Sequence, residues 1–130
     1  MKILLVEDDF VTRKIFKNLL NNYGEVDIAV NGVEAIKAIS ISYDHGDPYD
    51  VIFLDVLMPE MDGQEVLKNT RKLEEERNIF GKDGIKIIMT TVLKDSENII
   101  KAFREQCEGY IIKPAEKENV EKVLRKLELI

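Results

Sequence analysis

The apolar pattern constrains this chain more than any other feature of its sequence. Four short runs, Ile3–Val6, Val51–Leu54, Ile85–Met89 and Tyr110–Ile112, are continuously apolar. A strand wetted on one side alternates, whereas a strand covered on both sides reads as an unbroken apolar run. Val26–Val30, interrupted by Asp27, is a fifth and weaker strand. Between these runs apolar residues recur at helical spacing: Val11, Ile15 and Leu19; Val33, Ile36 and Ile39; Val66, Leu67 and Thr70; Ile99, Ile100 and Phe103; Val120, Val123, Leu124 and Leu127. Asn31 and Asp62 each precede a Glu three residues on, the reciprocal cap of a helix start, and Asp95 or Ser96 caps the fourth helix. Five repeats of strand then helix predict an α/β fold. Its sheet is parallel, five-stranded and doubly wound, of flavodoxin-like order, within one domain over residues 1–130.

Charge and composition narrow the function classes. The net charge is −6, against direct binding of nucleic acid, which needs clustered Lys and Arg. Basic pairs such as Arg13-Lys14 and Arg125-Lys126 fall within amphipathic segments and read as solvated helix faces. Apolar runs stop far short of the roughly 20 residues of a membrane span, and no signal precedes Lys2. The one cysteine, Cys107, excludes an internal disulfide and reads as a buried thiol, so the expected compartment is the reducing cytoplasm. The segments Ser42–Tyr49 and Asn78–Gly84 read as surface loops without an assigned role. His45, the single histidine, lies in the first of them and reads as a solvated loop residue.

Open parallel sheets bind ligands beyond the carboxyl ends of their strands. Those ends carry a particular set of residues: Asp8 and Asp9 after the first strand, Asp55 after "VIFL", Thr90 and Thr91 after "KIIM", and Lys113 after "GYII". Two carboxylates roughly 4 Å apart repel by about 4 kcal/mol at an effective dielectric near 20. Three of them therefore oppose folding unless a cation or protonation relieves them. Oxygen ligands with open positions suit Mg²⁺. A divalent ion, an ammonium and a hydroxyl are also what a phosphoryl group needs around its oxygens, which makes Asp55 a nucleophile that forms an aspartyl phosphate. Taken singly, each acid is better explained by a helix start or a loop cap. Their joint occurrence at successive strand ends favours the chemical reading.

The segments "LLVEDD", "DVLMPEMDG", "MTT" and "GYIIKP", in this order and at these intervals, resemble the receiver domains of two-component response regulators over essentially the whole chain. The resemblance implies a phosphoacceptor at Asp55. It implies direct Mg²⁺ ligation by Asp9, Asp55 and the carbonyl of Leu57, with Asp8 acting through water. Lys113 would hold a phosphoryl oxygen, next to a cis bond to Pro114. Thr91 would be the switch hydroxyl, and Tyr110 the aromatic side chain that follows it and alters the surface of the fourth helix, fifth strand and fifth helix. The implied phosphodonor is a sensor histidine kinase or phosphotransfer protein, with small acyl phosphates able to substitute. Output would pass through a protein partner, as in stand-alone chemotaxis-type regulators, and a phosphorylation-dependent dimer would be a further consequence. Leu57, Val92 and Leu93 put unusual apolar bulk beside the expected acyl phosphate and predict slow self-dephosphorylation.

Three other readings compete. A phosphatase of the haloacid-dehalogenase type would need a second Asp two residues beyond the nucleophile, where this chain has Leu57. A flavodoxin would need a phosphate cradle rich in Ser, Thr and Gly after the first strand, where Asp8-Asp9 would repel the anion. A receiver that acts by binding alone stays open.

Overall fold

Each apolar run forms a strand, and each is followed by a helix. The structure is a computed structural model that describes all residues, 1–130. In chain order the elements are β1 (Lys2–Val6), α1 (Phe10–Leu20), β2 (Glu25–Ala29), α2 (Gly32–Asp44), β3 (Val51–Asp55), α3 (Gly63–Glu76), a 3-10 turn (Gly81–Asp83), β4 (Lys86–Thr91), α4 (Ser96–Arg104), β5 (Gly109–Ile112) and α5 (Lys117–Lys126). All strand pairs are parallel, in the order β2-β1-β3-β4-β5. The predicted fold class therefore holds.

Strand side chains alternate between two cores. Leu4, Val6, Ile52, Leu54, Ile87 and Met89 face α2, α3 and α4, which contribute Ala35, Ile39, Val66, Leu67 and Ala102. Ile3, Leu5, Val51, Phe53 and Ile88 face α1 and α5, which contribute Phe16, Leu20, Val120 and Leu124. Cys107 is buried at the edge of the first core, as its sequence context predicts. No helix is long and apolar enough to cross a membrane.

Four local expectations need correction. β4 begins at Lys86, because the Ile85 amide turns aside to donate to the Glu74 carboxylate at 2.7 Å. Ser42–Asp44 is the last turn of α2 rather than loop, and Tyr49 further along is buried with its hydroxyl on Asp27. In α1 the buried stripe is Phe16 and Leu20, while Val11 and Ile15 of the predicted stripe stand exposed. In α4 only Ala102 is buried, and Ile100 and Phe103 are half exposed.

One glycine is required by contact. A Cβ on Gly63 would lie 2.2 Å from the carbonyl oxygen of Asp55, so only glycine lets α3 begin against the end of β3.

Candidate functional site

Asp8, Asp55 and Lys113, named from the strand ends, converge, with Glu7 in the place of Asp9. Val6 ends β1 buried, and the next residue, Glu7, continues inward with 1% of its surface exposed. Asp8 follows at the surface. Carboxylate oxygens of Glu7, Asp8 and Asp55 lie within 4.8 Å of one another. Asp9 is not among them, which corrects the expectation that it meets the metal directly. α1 starts at the next residue, and the Asp9 carboxylate caps it, accepting from the Thr12 amide at 2.9 Å and the Thr12 hydroxyl at 2.7 Å. These two hydrogen bonds hold its pKa below the ordinary carboxylate range. The inner pair is thus Glu7-Asp8. Glu7 was legible as the first residue beyond the last buried position of β1, whereas Asp9 carried the signature of a helix cap.

Lys113, just past β5, reaches across the sheet end. Its Nζ is 2.5 Å from Glu7 Oε1 and 3.2 Å from Asp55 Oδ1. The Lys113-Pro114 bond is cis, as the resemblance implied. Glu7 Oε2 accepts from the Asp9 amide at 3.1 Å, and the Leu57 amide donates to Asp55 Oδ1 at 3.3 Å. Burial pushes the Asp55 carboxyl up, the charge of Glu7 adds to that push, and Lys113 opposes it; the outcome is about 7. Burial lowers the Lys113 pKa, but its bond to Glu7 and the charges of Asp55 and Glu7 outweigh that and raise it. Lys113 is therefore cationic at neutral pH.

Three carboxylates against one ammonium leave two negative charges uncompensated when all four are ionised. At the 4.8 Å limit each carboxylate pair repels by about 3 kcal/mol at an effective dielectric of 20. The donors are hard oxygens, one set exposed at Asp8 and the others buried, which is the donor chemistry of a small divalent cation with open positions. Mg²⁺ fits these residues.

Thr91 ends β4 fully buried, and its Oγ1 accepts from the Leu93 amide at 3.3 Å. Tyr110 on β5 is partly buried and donates to the Leu93 carbonyl at 3.4 Å, so both predicted switch residues touch the same residue ahead of α4. Val92 and Leu57 are exposed at the rim. Arg13, which the sequence reading placed on a solvated face, instead donates to the carbonyls of Glu7 at 3.1 Å and Asp8 at 3.3 Å and pins the acidic turn. His45 lies in an exposed turn, away from the convergent set.

Comparison with known proteins agrees with this geometry. The chain is 34% identical over 126 residues to hybrid signal transduction histidine kinase L of Dictyostelium discoideum, covering 96% of this chain and 7% of that protein. It is 32% identical over 129 residues to the chemotaxis protein CheY of Listeria monocytogenes, covering 97% of each. Among solved structures, the receiver domain of the Arabidopsis thaliana histidine kinase CKI1, complexed with Mg²⁺ and BeF₃⁻, matches with a TM-score of 0.83 at 27% identity. That match covers 97% of this chain and 88% of the other. The chain thus spans only a small part of the kinases it resembles and nearly all of the chemotaxis protein. Residues 3–125 match the response regulator receiver domain, and the chain belongs to that family of two-component signalling modules.

Proposed function

We propose that this chain is a phosphorylation-dependent switch of the cytoplasm. Asp55 accepts a phosphoryl group from a sensor histidine kinase or a phosphotransfer protein, and the surface formed by α4, β5 and α5 changes in response to regulate a partner. The observation that carries the reading is the meeting of Asp55 with Glu7, Asp8 and Lys113 at the carboxyl end of the sheet, four residues brought together from three strand ends.

Glu7, Asp8 and Asp55, with the carbonyl of Leu57, would hold Mg²⁺. When bound, the ion neutralises the acid cluster and the charge that gathers on the phosphoryl oxygens. Asp55 supplies the nucleophile. One of its carboxylate oxygens attacks phosphorus, the bond from phosphorus to the donor imidazole breaks, and the leaving nitrogen takes a proton from solvent. Lys113, freed from Glu7, holds a phosphoryl oxygen by charge and hydrogen bond. Thr91 offers its hydroxyl to another, which shifts its contact with Leu93 and, through Leu93, the Tyr110 hydroxyl. Chemistry is confined to the chain's own phosphorylation and dephosphorylation.

A docking surface for the phosphodonor is supported by the apolar stripe of α1 that the core leaves exposed. Phe10, Val11 and Ile15 are each more than half exposed. Ile15 lines, with Val92, Lys113, Pro114 and Ala115, a cavity of about 330 Å³ beside the site. Exposed apolar area of this kind, next to an acidic reaction centre, suits a partner that presents a helical apolar face and delivers a phosphohistidine. Half-exposed Ile100 and Phe103 on α4 offer a second surface, suited to an output partner or a phosphorylation-dependent dimer.

The test is intact mass after incubation with acetyl phosphate and Mg²⁺, comparing the parent with Asp55→Asn. A single phosphoryl adduct that needs Mg²⁺ and is absent from Asp55→Asn is expected. No adduct from acetyl phosphate or from any histidine-phosphorylated donor, together with no binding of beryllofluoride, would overturn the reading in favour of a receiver that acts by binding alone.

A further inference from the structure

Helix α4 is held unequally at its two ends. Beyond its C-terminal end, the carbonyl of Gln106, a residue with φ of 72°, accepts from Arg71 Nε at 3.0 Å and from its Nη2 at 2.7 Å. Arg71 also pairs with Glu108 at 2.6 Å and donates to the Ile85 carbonyl at 2.9 Å, so that end is clamped to α3 and the edge of β4. At the N-terminal end every link is long. The Leu93 amide meets Thr91 Oγ1 at 3.3 Å, Tyr110 meets the Leu93 carbonyl at 3.4 Å, and Gln64 Nε2 donates to the Asn98 carbonyl at 3.4 Å.

Gln64 stands out among these. It is 7% exposed, and its Oε1 is buried with no protein donor. A buried amide oxygen of this kind is uncommon. Reversing the amide would set oxygen against the Asn98 carbonyl, so the orientation is fixed by chemistry. The first-turn amides of α4 are donors that lack intrahelical partners. The Asp95 carboxylate takes that of Asn98 and not those of Ser96 or Glu97. Gln64 also follows Gly63, the residue packed on the carbonyl of Asp55. It therefore lies between the end of β3 that bears Asp55 and the loosely held end of α4.

We propose that Gln64 is a positioning residue that couples Asp55 to α4. Its half-engaged amide sets the resting place of the N-terminal end of α4. It becomes fully engaged, with Oε1 on a first-turn amide, when a phosphoryl group on Asp55 moves that end about the Arg71 clamp. The proposal rests on the reading of Asp55 as phosphoacceptor given above. It adds a residue on α3 to the path that otherwise runs through Thr91 and Tyr110.

The experiment uses the whole chain with Mg²⁺ and beryllofluoride as the probe, and compares the parent with Gln64→Met and Gln64→Asn. Met keeps the length of Gln without its polar atoms, and Asn keeps the amide but is too short to reach α4. Beryllofluoride affinity is read by calorimetry, and amide hydrogen exchange of the segment 96–104 is read with and without the probe. In the parent, the probe should slow exchange in that segment. In both variants this slowing should be lost and the affinity reduced roughly threefold or more, the range expected when a coupling residue is removed. A merely structural role for Gln64 would move the melting temperature and leave the probe-induced slowing in place, and that result overturns the proposal. Variants equal to the parent in both readouts overturn it too. A parent that binds no beryllofluoride overturns the phosphoacceptor reading itself, and is told apart by the parent alone.

Discussion

Removing a carboxylate from the acid cluster should make the metal-free protein more stable, and more so at higher pH. Asp55 is the informative position. It is 3% exposed, and burial and Glu7 raise its pKa from 3.8 to about 7 in the folded chain. In the unfolded chain it titrates near the ordinary value. Because the folded value is the higher one, the folded state binds a proton more tightly than the unfolded state does. Stability from this group is fully present below about pH 4 and is lost as pH rises through about 7. The displacement corresponds to about 4 kcal/mol at roughly 1.4 kcal/mol per pH unit. That displacement already includes the attraction of Lys113, which keeps its shorter contact to Glu7 in the variant. Allowing about half for the poorer fit of an amide group beside the Lys113 ammonium, Asp55→Asn should gain about 2 kcal/mol over the parent at pH 8 in the presence of a chelator. That is a rise of several degrees in melting temperature for a domain of this size. At pH 4.5 the two proteins should melt nearly together, and millimolar Mg²⁺ at pH 8 should close most of the gap. Thermal melts followed by circular dichroism measure all three conditions. An Asp55→Asn protein that is less stable than the parent at pH 8, or equally favoured at both pH values, would refute the account of charge crowding.

The remaining predictions concern other parts of the molecule. Arg71→Leu should cost about 3–5 kcal/mol in urea denaturation, because it strands Glu74, only 2% exposed, and Glu108 without their cation; a loss below about 1 kcal/mol would count against the clamp. Leu57→Asn should shorten the lifetime of the aspartyl phosphate severalfold, since Leu57 lies half exposed at the rim and keeps attacking water poorly placed; an unchanged or longer lifetime in a dephosphorylation time course sinks the idea. Ile15→Asp should slow phosphotransfer from a phosphohistidine donor about tenfold or more, as loss of one buried apolar contact implies, yet leave labelling by acetyl phosphate unchanged. Equal slowing with both donors would mean that the exposed stripe of α1 is not a docking surface.

What was legible in the sequence divides along physical lines. The central strands were readable because a parallel sheet covered on both faces demands uninterrupted apolar runs, and Ile3–Val6 and Val51–Leu54 have no other use. β2 was weaker because it is an edge strand with Asp27 and Ile28 exposed. The convergence of Asp8, Asp55 and Lys113 followed from topology alone. Contacts decided by a single step of register did not. Between "Glu7-Asp8" and "Asp8-Asp9" the residue types are nearly equivalent, and only the start of α1 at Phe10, which claims Asp9 as its cap, separates them. Helix α1 carries two apolar stripes, Val11-Ile15 and Phe16-Leu20, and periodicity cannot say which one meets the sheet. Misassigning them hid a surface, because the stripe that the core leaves unused stands beside Lys113 and Pro114. The Arg71 network joins residues 71, 74, 85, 106 and 108 through two backbone carbonyls, and side-chain type carries no trace of such partners. Sequence pattern therefore locates the candidate site here, through charges that folding alone would not place together. The mechanics that transmit it depend on backbone groups and half-satisfied amides such as Gln64, which become visible only once the elements are packed.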